Sequence, residues 1–122
     1  MSTNYIEEGE VLHHVAAAAI SSGDVVALHD CIGIALTDIA SGATGAVKIT
    51  GVFQLPKTTG VTIAQGEKVD FDASAGTAGE VSTGITPASG DVQNFGVAAA
   101  AAASGDTTIN VKLEPGNGTY TA

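Results

Sequence analysis

Read as apolar and polar positions, the chain is a series of short alternating runs separated by glycine-containing turns. The longest run is Ala46 to Lys57, Ala-Val-Lys-Ile-Thr-Gly-Val-Phe-Gln-Leu-Pro-Lys. In it Val47, Ile49, Phe53 and Leu55 share one parity, and Lys48, Thr50 and Gln54 the other. A period of two with one apolar side predicts a strand with one buried face, and we take this run as the central strand. Pro56 has no amide hydrogen for a ladder and restricts the residue before it. The strand is therefore expected to stop at Leu55 and turn through Lys57 to Gly60. Gly51 interrupts the buried parity, the mark of a bulge or a close backbone approach.

Shorter runs flank it. Val11 to Val15 is a first strand running into Ala16 to Ile20, Val25 to His29 a second, and Cys31 to Leu36, with Gly33 inside it, a third. Val61 to Ile63 reads as a short strand, and Lys68 to Asp72 places Val69 and Phe71 inward. Glu80 to Thr83 closes a hairpin with Lys68 to Asp72, and Val92 to Ala98 and Thr107 to Leu113 complete the set, with Ile109, Val111 and Leu113 inward. Ser-Gly-Asp recurs at Ser22, Ser89 and Ser104, with Gln65-Gly66-Glu67 as a looser relative, and each copy is read as a turn that launches a strand. Turns this frequent between short alternating strands predict an all-β fold, a small single-domain β-barrel or β-sandwich of short strands. The expected organisation is an N-terminal arm over residues 1–9, a β domain over 10–114 and a C-terminal tail over 115–122.

Six consecutive alanines, Ala98 to Ala103, complicate the pattern. Propensity favours helix, but a helix this short is barely stable alone. The stretch is entered from Phe95-Gly96-Val97 and left through Ser104-Gly105. A strand passing into a tight small-residue crossing is preferred over a helical turn. Small side chains there suit a sheet crossing or a crowded oligomer axis, which makes Ala98, Ala99, Ala100 and Ala101 the candidate self-association surface.

Composition narrows the function. With 122 residues, 44% hydrophobic content but only 4% aromatic and no Trp, the core is aliphatic and thin, and oligomerisation would supplement it. Thirteen acidic residues against four Lys and no Arg give a formal charge of −9. Without Arg the bidentate contacts to phosphate and guanine are missing, so nucleic acid is not an expected partner. The same charge disfavours an anionic membrane surface, and no apolar run reaches spanning length. Met1 to Glu8 has no basic segment followed by an apolar one, so no secretion signal is read and synthesis in a cytoplasm is expected. The single Cys31 is read as a buried structural thiol.

Candidate chemistry is sparse. His13 and His14 are adjacent in a strand and point to opposite faces, so they cannot share one metal. In His29-Asp30-Cys31 alternation again separates the first two ligand types. Asp70-Phe71-Asp72-Ala73-Ser74 starts like a calcium loop, but Ala75 holds the position that loop gives to Gly, and Glu80 falls one place early. No nucleophile elbow and no phosphate-cradling Gly-rich loop with Lys occurs. The expectation is no catalytic residue, no metal and no cofactor; a metal-dependent enzyme using His29, Asp70 or Asp72 is the minor alternative.

The order Gly-Asp-Val-Val (Gly23 to Val26), Gly-Ile-Ala-Leu-Thr-Asp (Gly33 to Asp38) and Val47 to Lys57 resembles a family of small tailed-phage proteins. Gln-Gly-Glu-Lys-Val (Gln65 to Val69), Phe-Gly-Val-Ala (Phe95 to Ala98) and Ala102 to Leu113 extend the likeness over about Glu8 to Leu113. This is the domain-of-unknown-function family 2190, whose characterised members look like capsid decoration, or cement, proteins. The chain departs from it in Phe71, where Tyr or Trp is common, and in its long alanine run. The resemblance implies a β-rich domain on the outside of an expanded icosahedral head, with the major capsid protein as partner and self-association as a homotrimer, or alternatively a homodimer. It implies synthesis in the host cytoplasm and residence in the virion, on the outer capsid surface. It also suggests that the arm residues Ser2, Thr3, Asn4, Tyr5, Ile6, Glu7 and Glu8 lie along capsid subunits. A phage head fibre or adhesin-like host-binding module of similar β build is the alternative reading.

Overall fold

The computed structural model describes residues 9–75 and 79–122, which contain ten strands and no helix. A four-stranded antiparallel sheet is built from β1 (Val11–Val15), β2 (Val25–Ala27), β3 (Ile32–Ala35) and β4 (Thr44–Lys48), in the order β1-β4-β3-β2. A second sheet takes β5 (Val52–Pro56), β6 (Lys68–Asp72), β7 (Glu80–Ser82), β8 (Val92–Ala98) and β9 (Thr108–Leu113), in the order β5-β9-β8-β6-β7. β10 (Thr119–Tyr120) lies against the start of β8. The architecture is a small β-sandwich, as the all-β reading expects.

The main correction concerns the run from Ala46 to Lys57. It forms two strands, β4 and β5, which belong to different sheets, and β5 lies at a sheet edge. Gly51, at φ +102°, is the corner between them, a backbone angle that side chains with a Cβ rarely adopt. Parity survives the corner but the destination changes: Val47 packs with Ala16, Val26, Ala35 and Ile39, while Leu55 enters the larger core. Pro56 extends β5 one residue beyond the expected stop, opposite Thr108, because an edge strand leaves its missing amide hydrogen without consequence.

Beyond β5 the amide of Lys57 donates to Thr107 O (2.8 Å) and that of Thr58 to Val81 O (3.0 Å). The first continues the β5–β9 pairing; the second, with the bridge between Lys57 and Val81, brings the β5 edge of the second sheet to its β7 edge, so the sheet curls on itself. The Lys57 side chain, expected in a turn, is therefore buried at 1% exposure, with its Nζ donating to Thr58 O at 2.9 Å.

The larger core combines Ile32 and Ile34 from the first sheet with Val69, Phe71, Val92, Phe95, Ile109, Val111 and Leu113 from the second. Phe71 and Phe95 meet edge to face, ring centroids 6.4 Å apart. β9 shows why its sequence was readable: Ile109, Val111 and Leu113 are buried, and Thr108, Asn110 and Lys112 exposed. The hairpin of β6 with β7 forms as expected, Phe71 opposite Val81. Of the expected strand Val61 to Ile63 only Ile63 pairs, exchanging both backbone bonds with Ala102. The alanine run ends β8 at Ala98 and then crosses: Ala99 N–H donates to Asn110 O, and the bonds to Ile63 fix Ala102. Past residue 114 the chain is not wholly solvated, since Tyr120 pairs with Val92 and the Gly118 amide donates to Asp30 O.

The recurring turns share one geometry. In Ser21–Asp24, Ala64–Glu67, Ala88–Asp91 and Ala103–Asp106 the amide of the acidic residue donates to the carbonyl of the first residue. The carboxylate of that acid accepts the first residue's amide in return, at 2.9 Å in each case. Glu67 closes its turn as the aspartates do, so Gln65-Gly66-Glu67 is a full member of the set. These turns stand directly before β2, β6 and β8, and one residue before β9. Each carboxylate thus satisfies a donor that the turn would leave open.

Two stability predictions follow from this packing. Asp91 is buried and also accepts the Ala73 amide at 2.9 Å, whereas Asp106 is exposed. Asp91→Ala leaves two amides without their charged acceptor and is expected to cost about 3 kcal/mol, against less than about 1 kcal/mol for Asp106→Ala; chemical denaturation of both variants reads the difference. A methyl group on Gly33 would collide with Val47 Cγ1 in the smaller core. Gly33→Ala is expected to destabilise by about 1–3 kcal/mol, seen as a lower thermal midpoint.

Candidate functional site

The proposed capsid-contact residues Ser2, Thr3, Asn4, Tyr5, Ile6, Glu7 and Glu8 lie outside the described residues. The proposed self-association alanines divide by burial. Ala98 is spent in the chain's own core, Ala99 is half-buried, and Ala100 and Ala101 are exposed at the surface of the crossing.

The groups considered for metal chemistry are held in other arrangements. His13 and His14 sit on β1, an outer strand of the first sheet. His29, at φ +79°, stacks against Tyr120 with ring centroids 4.8 Å apart, and its Nδ1 lies 3.0 Å from Asp30 Oδ1. The same Asp30 oxygen accepts the Tyr120 amide at 3.1 Å. His29 and Asp30 therefore fasten the C-terminal strand to the loop between β2 and β3. Cys31 lies outside β3 and is half-buried rather than fully enclosed. Burial, and secondarily the charge of Asp30, push its thiol above the ordinary range, which keeps it protonated and weakly nucleophilic.

Asp70 is buried where alternation would expose it. Its Oδ1 accepts the Asn94 amide at 2.8 Å and its Oδ2 the Ile85 amide at 3.3 Å. Asp72 Oδ1 accepts from the Ser74 amide and hydroxyl. The two carboxylates that suggested a calcium loop are thus engaged with the chain's own donors. Among the described residues no group of three or more metal-ligating side chains forms, and every buried side-chain nitrogen or oxygen has a hydrogen-bond partner.

What the arrangement does present is surface. Leu12, Val15, Leu36 and Val52 are exposed apolar side chains. β1 pairs His13 with Ala46, and Leu36 N–H donates to Ala46 O, so His13, Ala46 and Leu36 form one row across the first sheet. Val15 falls on the same face two residues on, making an apolar strip beside the covered part of that sheet.

A polar pocket of about 340 Å³ opens on the second sheet, lined by Lys68, Asn94, Gly96, Val97, Glu114 and Asn117. β6 and β8 lose register between Val69 and Phe71, where Gly96 through Val92 oppose three residues of β6. Asn94 sits in this bulge at φ +57°, and Asp70 beneath it holds its amide. Sequence reasoning missed the pocket because its residues come from three distant segments. The signal within reach was Asn94, a turn-favouring residue in the middle of an apolar run.

The sequence profile of the phage cement proteins matches residues 6–113, nearly the whole chain. No curated protein and no solved structure matches it. An all-β sandwich of short strands agrees with that match: the chain belongs to the phage cement protein family.

Proposed function

We propose that this chain is a capsid decoration protein that binds the outer surface of the expanded head of a tailed phage, with the major capsid protein as partner, and stabilises it. The observation that carries the reading is the family match over residues 6–113. The structure is compatible with it: among the described residues the buried side-chain donors and acceptors are engaged within the sandwich, and the exposed apolar side chains and the pocket are open to contact. We read the protein as non-catalytic, as a homotrimer in preference to a homodimer, and as reaching neighbouring subunits through Ser2 to Glu8.

The physical mechanism is linkage. A protein that binds the expanded shell but not its precursor or its dissociated subunits stabilises the expanded shell by its differential affinity. At a free concentration a hundredfold above the dissociation constant that amounts to about 2.7 kcal/mol per site. The sites repeat over the lattice, so small individual contributions add.

The test is to add purified protein to expanded heads stripped of it and follow disruption by heat. Bound protein is expected to raise the disruption temperature with increasing concentration until the sites saturate, and to leave unexpanded heads unaffected. Failure to bind expanded heads would refute the reading.

A further inference from the structure

On a chain of net charge −9, cations are scarce, and their commitments differ. Lys48 Nζ lies 3.7 Å from Glu10, Lys112 Nζ lies 2.9 Å from Glu114, and Lys57 is buried against Thr58 O. Lys68, at the start of β6, is exposed and is the one lysine that makes no ion pair or hydrogen bond among the described residues. It stands on the rim of the 340 Å³ pocket.

The rest of the pocket shapes what that ammonium can receive. Glu114, the one acid in the lining, is already neutralised by Lys112. Asn94 and Asn117 contribute carboxamides, each with two N–H donors. Gly96 is fixed by the close approach of β8 to β9, since a Cβ there would lie 2.5 Å from Lys112 O and 2.9 Å from Val111 Cγ1. Asn94 is not a loose loop residue, because the buried Asp70 carboxylate pins its amide and so fixes the bulge that carries it. An uncompensated ammonium beside two carboxamides is a site for a carboxylate. A cationic ligand finds no unpaired acid in it.

We propose that this pocket receives an aspartate or glutamate side chain of the capsid subunit and thereby sets the orientation in which the protein sits on the shell. The proposal rests on the capsid-binding reading above. An otherwise acidic surface repels acidic groups wherever they approach, so a partner carboxylate is tolerated in one register, over Lys68. The contact acts as a key for orientation, while the apolar side chains supply the burial.

The test titrates stripped expanded heads with the wild-type protein, Lys68→Glu and Lys48→Gln, and treats assembled heads with a zero-length carbodiimide cross-linker, which joins amines to carboxylates in direct contact. Lys68→Glu is expected to bind about tenfold more weakly or worse, Lys48→Gln to bind as the wild type does, and Lys68 to cross-link to an acidic residue of the capsid subunit. Unchanged binding by Lys68→Glu, an equal loss in both variants, or cross-linking of Lys68 only to another copy of this chain would overturn the pocket's assignment and leave capsid binding standing. Failure of the wild type to bind at all would overturn the underlying reading and the assignment with it.

Discussion

The fold depends on carboxylates that accept backbone amides. A core with few aromatic side chains gains little free energy per ordered residue, so strand boundaries cannot be left to packing alone. Four acidic turns set the starts of β2, β6, β8 and β9, each by a reciprocal pair of hydrogen bonds between the first and fourth residues. Asp91 and Asp70 carry the same device inside the sandwich, where one ties the turn before β8 to the end of β6 and the other holds the β8 bulge. The large excess of acid in the composition is in part a structural requirement of these turns. What remains of it makes a surface that discriminates against most anionic partners.

This division explains what was legible in the chain. β9 and the hairpin of β6 with β7 could be read because each has one face on the core and one on solvent, which alternation reports directly. The turns could be read because Gly followed by an acid has a specific local use. The sheet switch at Gly51 could not, since Val47 and Leu55 are both buried and parity does not say in which core. Lys57 and Asp70 were misplaced for a related reason. Each occupies a position that a charged residue normally keeps in water, and each is buried by distant chain: the β5–β7 closure covers Lys57, whose Nζ donates to the adjacent Thr58 O, and Asn94 and Ile85 supply the partners of Asp70.

The candidate site was the least legible part. Lys68, Asn94 and Glu114 are brought together by pairing between β6, β8 and β9, and no short motif encodes that meeting. The histidines and the apparent calcium-loop acids drew attention as residue types, yet His29 and Asp30 fasten β10, and Asp70 and Asp72 serve turns and a bulge. With the described buried side-chain polar atoms all hydrogen-bonded within the sandwich, what stays open to contact includes a few exposed apolar side chains and the one lysine without a partner among the described residues. That is the arrangement expected of a molecule that works by staying bound.

The central claim, that this sandwich acts as a non-covalent clamp on the outside of an expanded head, is tested most directly by electron cryo-microscopy of the intact particle. The account predicts density for the two-sheet domain on the outer face of the shell, contacting more than one capsid subunit, with the Lys68 pocket turned toward the capsid. Density on the inner face, or heads that lack the protein altogether, would contradict it.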